Sequence, residues 1–557
     1  MQLAYVSGFL NNPNNSVQNN HSTANKWTWS NTLRYKFNEG KNSFDALLGT
    51  EAHEETYQNF WASALGFAST DPNYMYLDAA TGVKNLGGNA SAYTLLSYFG
   101  KVDYVFDNKY LASVTLRYDG SSNFGTNNQF GTFPAFSLGW RINEEKFLRN
   151  FTQLSDLKLR ASWGETGNQN IPNGATATEY VTNYTGGDPT WRIPNGTAYD
   201  INGAKSGTLP SGFIKSQTGN PNLKWETTTQ TNFGFDFGFF NQALSGSFDY
   251  YIKDTKDILV EPPYIGALGE GGYQWLNGAG MQNKGMEFSI SYNGKIGNLK
   301  YDVSGNISGY RNKVTYLPLS VVNNYGGNGT TQNILGHPIG SAFGYVAQGL
   351  FTSQTQWANA PTQQGLTASN CLGRIRYADI NGDGKIDTND QTWIFDPTPS
   401  FAYGINLKLG YKDFDMTLYF QGFGKTQIVN NLKYSTDFWS VQETGSNKGT
   451  RLLNAWSPSN PNSTIPALAA TDYNDEARFS TYFVENGAYL KLRNVEIGYT
   501  LPKTLSQKFH VSNLRLYVAG ENLLHIYAKS FTGQDPEDAN YGYPIPSQLT
   551  GGLSVTF

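Results

Sequence analysis

The chain has 557 residues, of which 15 % are Phe, Tyr or Trp, 60 are Gly and only 15 % are charged. Lys and Arg number 40 against 44 Asp and Glu, and the resulting net charge of −4 argues against a nucleic-acid partner, which needs a basic excess. The aromatic content argues against disorder, and no uncharged apolar run approaches the roughly 18 residues of a membrane-spanning helix. A large β protein remains, either soluble or in an outer membrane.

Alternation of apolar and polar residues predicts strands along most of the chain. Met286, Phe288, Ile290 and Tyr292 alternate with polar neighbours, for example, and the same pattern ends the chain. Such alternation is typical of a strand with one apolar and one polar face. We predict fifteen long strands, at about 26–37, 43–58, 92–106, 110–122, 134–142, 156–165, 223–239, 243–256, 281–293, 298–314, 397–410, 413–424, 481–501, 512–525 and 548–557.

The links between these strands alternate in length. A short link follows every odd-numbered strand, whereas a long link follows every even-numbered one, and the longest is at about 315–396. A soluble sandwich has no reason to gather its long loops at one end, but outer-membrane barrels have short periplasmic turns and long extracellular loops. The sequence therefore predicts an all-β fold, a transmembrane antiparallel β-barrel in the outer membrane of a Gram-negative bacterium, in contact with membrane lipid.

The strand count and the chain ends predict that residues 1–557 are the C-terminal portion of a longer barrel. Fifteen is odd, whereas bacterial single-chain barrels have an even number of strands; one miscounted strand is the alternative. The first strand runs toward the periplasm, so residues 1–24 are expected outside the cell, and Met1–Ser22 lacks the regions of a secretory signal. The terminal Phe557 resembles the assembly signal on the last strand of outer-membrane barrels.

Several short motifs, spread in order over the whole chain, carry a resemblance to a known family. They lie at 117–125 (RYDGSSNFG) with 133–141, 157–169, 220–226 (NPNLKWE), 283–287 (NKGME), 520–523 (GENL) and 533–537 (GQDPE) with 543–544. Each motif is weak alone, but the ordered set resembles the SusC/RagA-like family of TonB-dependent outer-membrane transporters from Bacteroidota.

That resemblance implies a 22-strand barrel closed by a plug, of which this chain would supply about fifteen strands and lack the plug, the TonB box and the first strands. It also implies active import of an oligomeric nutrient, an oligosaccharide or a peptide. The implied partners are a SusD-like surface lipoprotein and, through the missing N-terminal region, TonB. A passive porin, and an adhesion or interaction barrel whose loops bind a ligand, are the rival functions.

Residues 379–390, within the long loop at 315–396, match a twelve-residue calcium loop, D-x-[DN]-x-[DN]-G. Gly384 permits the sharp turn that such loops need. We expect a structural Ca²⁺ that orders the long loop, although a solvated Asp/Gly turn would have the same composition. The expected ligands are Asp379, Asn381, Asp383, the backbone carbonyl of Lys385, Asp387 and Asp390.

Aromatic residues have two interpretations. Trp27, Trp29, Tyr35 and Phe37 lie in phase on one strand, which favours contact with lipid. Aromatic residues in the long loops could instead stack on a ligand such as a sugar ring, although packing within the loops is the alternative for any one of them. The candidates for substrate binding are Trp191, Tyr273, Trp275, Trp393 and Trp439.

The strand at 481–501 contains a change of phase. Lys491 and Arg493 occupy the polar face, and the apolar face then continues from Val495, so an extra residue near 493–494 predicts a β-bulge. Both cations are expected to face the lumen, where they could line the solute path or pair with a plug.

No constellation of catalytic residues is found in the sequence. The five His residues form no His-Glu-x-x-His pair, no Gly-x-Ser-x-Gly elbow is present, and Cys371 is the one cysteine. We therefore expect a protein that is not an enzyme and that has no intrachain disulfide bond.

Overall fold

Fifteen strands pair in chain order into one antiparallel sheet in the computed structural model. The model describes residues 5–7, 10–12, 15–148, 150–182, 213–262, 273–322, 327, 332–443, 447–540 and 542–557. The strands are β1 (Ser16–Glu39), β2 (Asn42–Leu65), β3 (Lys84–Phe106), β4 (Tyr110–Ser121), β5 (Phe130–Arg141), β6 (Leu154–Asn168), β7 (Glu226–Phe239), β8 (Leu244–Val260), β9 (Leu276–Ile296), β10 (Leu299–Tyr316), β11 (Phe401–Tyr411), β12 (Phe414–Gly424), β13 (Tyr489–Thr500), β14 (Asn513–Tyr527) and β15 (Gln548–Thr556). The first and last strands lie at the two edges of the sheet.

The remaining elements are short and lie mostly in the links. The additional strands are Tyr5–Ser7, Leu10–Asn12, Glu179–Thr182, Phe213–Gln217, Ala342–Tyr345, Ala347–Leu350, Thr362–Gln363, Ile375–Tyr377, Lys385–Ile386, Gln391–Phe395, Gln427–Val429 and Val484–Asn486. The helical segments are Pro72–Tyr74, Leu77–Ala79, Ile142–Glu144, Leu319–Val322, Gln354–Ala358, Thr388–Asp390, Asn431–Lys433, Tyr434–Trp439, Ser440–Gln442, Thr450–Asn454, Lys503–Ser506 and Gln507–Phe509. Among the described residues, no helix is long and apolar enough to cross a membrane.

The fifteen strands predicted from the sequence are confirmed, but several boundaries differ. β1 begins at Ser16 instead of about residue 26, because its polar first half pairs with Thr56–Leu65 of β2 in a continuous backbone ladder that needs no apolar alternation. Conversely, β13 begins at Tyr489 instead of about residue 481, because Val484–Asn486 pairs with Gln427–Val429 near the start of the same loop. Alternation therefore located the strands, whereas backbone pairing determined where they end.

The short links lie at one end of the sheet, as predicted. Several are tight turns whose residues adopt positive φ, including Gly40 at +56°, Asn108 at +58° and Gly297 at +59°. Glycine and Asn tolerate this left-handed conformation better than other residues do. The long links, at 66–83, 169–225, 317–400 and 425–488 among others, leave the opposite end, which we call the loop end.

The register places the apolar residues of neighbouring strands on the same face. Val303 of β10 lies opposite Leu407 of β11, which lies opposite Leu418 of β12, which lies opposite Val495 of β13. The same holds across the sheet, so that one face is apolar and is exposed at many large side chains. A contiguous exposed apolar surface of this extent needs a partner, and lipid is the partner of a membrane sheet.

The opposite face is polar, and its charges form pairs across the strands. The guanidinium of Arg160 donates to Asp236 at 3.1 Å and to Asp249 at 2.9 and 3.0 Å. In the same way Arg515 contacts both Asp415 and Glu496. Most of these charges are therefore neutralised within the sheet itself.

The predicted bulge is confirmed at Arg493. Tyr419 pairs with Asn494 and the next residue, Phe420, pairs with Leu492, so Arg493 is the extra residue on β13. The register with β14 shifts at the same place. Because the bulge adds one residue, Leu490 and Leu492 before it and Val495 after it all remain on the apolar face.

Two long loops pack together into a common core at the loop end. Tyr345, Leu350, Ile375, Tyr377 and Ile386 of the loop at 317–400 contact Phe438, Trp456 and Phe483 of the loop at 425–488. A buried ion pair joins them, with Arg374 Nη1 at 2.9 Å from Glu476 Oε2 and side chains that are 7 % and 1 % exposed. We call the described residues of these two loops the loop module.

The loop module is expected to depend on the Arg374–Glu476 pair. Replacing Glu476→Gln leaves a buried guanidinium without its carboxylate, a change that costs about 3–5 kcal/mol. Hydrogen exchange of the amides around Ile375–Tyr377 should therefore accelerate by at least tenfold in the purified protein.

Lys224→Ala is the matched control. It removes an ion pair with Asp257 whose side chains are 50 % and 41 % exposed, and such surface pairs contribute only about 0–1 kcal/mol. Equal exchange rates in the two variants would show that the buried pair does not hold the loop module together.

Candidate functional site

The loop at 379–390 adopts the turn that its sequence predicts. Gly382 and Gly384 have φ of +77° and +81°, and both donate backbone N–H groups to the Asp379 carboxylate, at 2.6 and 2.9 Å. These N–H groups hold the pKa of Asp379 below its ordinary value, and the N–H of Gly384 contributes most to this shift. Asp379 is therefore a carboxylate at neutral pH.

Asp390, at the last position of this loop, is fully buried. One of its carboxylate oxygens accepts the N–H of Ile380 at 2.9 Å, and the other accepts the N–H of Asp387 at 2.7 Å. The two ends of the twelve-residue loop are thereby joined. Ile386 between them is buried in the core of the loop module, so the loop is attached to the module through its apolar anchor.

The acidic oxygens of this loop bond to the protein instead of converging on one point. Asp383 accepts the N–H of Lys385 at 3.1 Å, and the Lys385 ammonium lies 2.9 Å from Asp387. This ion pair lowers the pKa of Asp387. Within the described residues no group of three or more His, Cys, Asp or Glu side chains is placed to hold a metal ion.

The aromatic candidates lie in different surroundings. Trp393 stacks on His337 with ring centroids 4.4 Å apart and contacts an apolar cluster at the ends of β8–β10. Trp275 contacts a second cluster, which contains Phe124, Leu223 and Trp225. Both are thus part of the packing within the loops.

Tyr273 and Trp439 complete the described candidates. Tyr273 forms an isolated bridge with Gln217. The side chain of Trp439 is 51 % exposed on the loop module and is therefore the one best placed for contact with a solute. Trp191 lies outside the described residues.

A third long loop, 528–547, is bound to the polar face of the sheet. Lys491 is 3 % exposed, and its ammonium lies 2.7 and 2.6 Å from the two oxygens of Asp535 and 2.6 Å from Glu537. Burial opposes ionisation of Glu537, but the hydrogen bonds from Lys491, Tyr489 and Arg493 together outweigh it, so the pKa of Glu537 is lowered. Arg493 also contacts Glu537.

The same loop is bound to the loop module. The Glu485 carboxylate accepts the backbone N–H of Thr532 at 2.9 Å and its hydroxyl at 2.7 Å, and the Lys433 ammonium lies 2.7 Å from Glu485. The sequence predicted the direction of Lys491 and Arg493 correctly. Their partners were visible in the sequence only as the motif at 533–537, which contains both acids.

Three comparisons agree on what this chain is similar to. A family model described as TonB dependent receptor-like, beta-barrel matches residues 2–424. TonB-dependent receptor P3 of Formosa agariphila is 32 % identical over 559 residues, which cover 95 % of this chain and 52 % of that protein. TonB-dependent receptor SusC of Bacteroides thetaiotaomicron is 31 % identical over 541 residues, which cover 94 % and 49 %.

A solved structure is similar over the whole chain. The RagAB peptide transporter matches with a TM-score of 0.81 and 25 % identity, and the match covers 99 % of this chain and 57 % of that one. The chain spans about half the length of the curated relatives that it matches.

The family match and the fifteen-strand sheet identify the two faces of that sheet. The apolar face is the outer surface of a barrel wall, and the polar face is directed toward the lumen. The chain belongs to the family of TonB-dependent receptor-like β-barrels, which are outer-membrane proteins of Gram-negative bacteria.

Proposed function

We propose that the protein imports an oligomeric nutrient, a glycan or a peptide, across the outer membrane, with energy supplied through TonB. The observation that carries this proposal is the fifteen-strand sheet with two different faces. Its apolar face can contact lipid, and its polar face can line an aqueous path. The similarity to TonB-dependent receptor SusC and to the RagAB peptide transporter supports active import over a passive porin.

In this proposal the fifteen strands are part of a 22-strand barrel whose plug yields to force from the inner membrane. A SusD-like lipoprotein covers the loop end and delivers the solute between the loops. The loop module and the loop at 528–547 then form the outer mouth of the path. The role is transport and not catalysis, in keeping with the receptor description of the matching family.

We also propose that residues 379–390 bind a structural Ca²⁺. The spacing of Asp379, Asn381 and Asp383, the two positive-φ glycines and the burial of Ile386 support this. Binding would require Asp383 and Asp387 to exchange their contacts with Lys385 for the metal. The ion would then stiffen the edge of the loop module.

Import is expected to stop when TonB is deleted. Cells that carry the whole protein should lose accumulation of the nutrient in a tonB deletion strain or with a protonophore, because the plug cannot be displaced without energy. A strain that lacks the protein sets the background. Accumulation that continues at the wild-type rate without TonB would instead indicate a passive porin.

Trp439→Ala is expected to weaken solute capture. Loss of a stacking contact of about 1 kcal/mol raises the half-saturating concentration of the nutrient by about fivefold, while the amount of assembled barrel stays constant. Leu453→Ala is the matched control, since Leu453 is 87 % exposed in the same loop but cannot stack. Equal uptake in the two variants would remove Trp439 from the solute path.

Asp383→Ala is expected to weaken Ca²⁺ binding at least tenfold, because it removes one of the oxygen ligands. Isothermal calorimetry on the purified protein measures the affinity. Asp78→Ala removes an exposed carboxylate from a different loop and should leave the affinity unchanged. Absence of binding heat in the wild-type protein at millimolar Ca²⁺ would contradict the site.

A further inference from the structure

Two cations lie opposite each other on the lipid-facing side of the wall. Lys284 of β9 and Arg311 of β10 are direct cross-strand partners, and both are exposed. Like charges in this position repel each other at a separation of about 5 Å between Cβ atoms. Lys313 lies two residues beyond Arg311 on β10, opposite Gln282, and adds a third cation to the same face.

The carboxylate of Asp254 lies on the same face as these cations but does not pair with them. Among the residues that the structure describes, none forms an ion pair with these three cations. Asp254 of β8 lies opposite Gln282, and its Oδ1 accepts the side-chain N–H of Gln282 at 2.6 Å. This neutral donor leaves the charge of Asp254 in place, so one carboxylate lies beside three cations. Arg311 donates a long hydrogen bond of 3.4 Å to the hydroxyl of Ser400. The site therefore has positive charge that the sheet leaves available.

The position of the cations along the strands coincides with the edge of the membrane. On β9 the outward residues are apolar from Ile296 to Met286 and become polar at Lys284. Ten residues span about 34 Å along a strand, or about 26 Å along the membrane normal at a tilt of about 40°. This equals the apolar band of about 25 Å that outer-membrane barrels present. The cations lie at the loop end, which is the extracellular side.

A groove begins at these cations and runs down the lipid-facing surface. It has a volume of about 500 Å³ and is lined by Tyr250, Met286, Phe288, Ile307 and Phe401, with Gly309 between them. The groove is continuous with the apolar face that contacts lipid. The groove is therefore apolar along its length and positively charged at the end that lies at the level of the lipid headgroups.

We propose that this groove binds a phosphate-bearing lipid of the outer leaflet, the lipid A part of lipopolysaccharide. Its phosphate lies between Lys284 and Arg311, with Lys313 as a further contact, and one acyl chain lies in the groove. The phosphate relieves the repulsion between the two cations. A lipid with a phosphate group fits this site because its charge is opposite to that of the cations and because the groove is continuous with the lipid-facing surface. The site lies at the extracellular side of the membrane, so the lipid belongs to the outer leaflet.

Binding of phosphorylated lipid A to the whole protein in mild detergent tests the site, with native mass spectrometry as the readout. K284Q/R311Q should lower the affinity at least tenfold, and Lys284→Arg should retain it. The matched control is K295Q/K300Q, which neutralises the direct cross-strand pair Lys295–Lys300 of the same hairpin, on the other face beside the short turn. This control should bind as the wild type does. Heat-modifiable migration establishes that each variant is folded.

Three results would overturn the proposal. Equal binding by wild type and K284Q/R311Q would mean that the cations merely extend to the membrane surface. Equal affinity for phosphatidylglycerol would rule out a site for lipid A. Displacement of lipid A by a second copy of the protein, seen as a dimer that K284Q/R311Q abolishes, would make the groove a subunit interface.

Discussion

The register between neighbouring strands is the constraint on which the rest of this structure depends. A sheet in a membrane must satisfy its backbone groups through its own neighbours, and side chains alternate with a period of two. A slip of one residue would therefore exchange the lipid-facing and lumen-facing sets along a whole strand. The turns at Gly40, Asn108 and Gly297 fix this register at one end, and the bulge at Arg493 corrects it within β13.

The distribution of charge follows from the same constraint. Ionic groups such as Arg160 and Asp236 are confined to the lumen face, where they neutralise each other across the strands. At the loop end, buried pairs such as Arg374–Glu476 instead join loops that are distant in sequence. Lys491 combines both roles, since it lies on the lumen face of the sheet and forms a buried ion pair with the loop at 528–547. Lys284 and Arg311 are different, because they carry unpaired charge on the lipid-facing side.

The sequence was sufficient to predict the wall but not the loop end. Alternation is a local signal, so the fifteen strands, their faces and the bulge could all be predicted from neighbouring residues. The pairing of Arg374 with Glu476, 102 positions apart, leaves no periodic trace. For the same reason the sequence could not distinguish Trp393, which packs against His337, from Trp439, which is exposed. For residues 379–390, the turn could be predicted from the sequence, whereas the bound Ca²⁺ is a proposal.

Labelling of single cysteines on β11 tests the assignment of the two faces most directly. Leu407 and Lys408 are neighbours on this strand, and in a Cys371→Ser background each can be replaced by cysteine in the whole protein within membranes. A water-soluble maleimide should react with the cysteine at 408, and a lipid-borne quencher should reach a fluorophore at 407. The reverse pattern, or equal reaction at both positions, would contradict a wall with one face toward lipid and one toward the lumen.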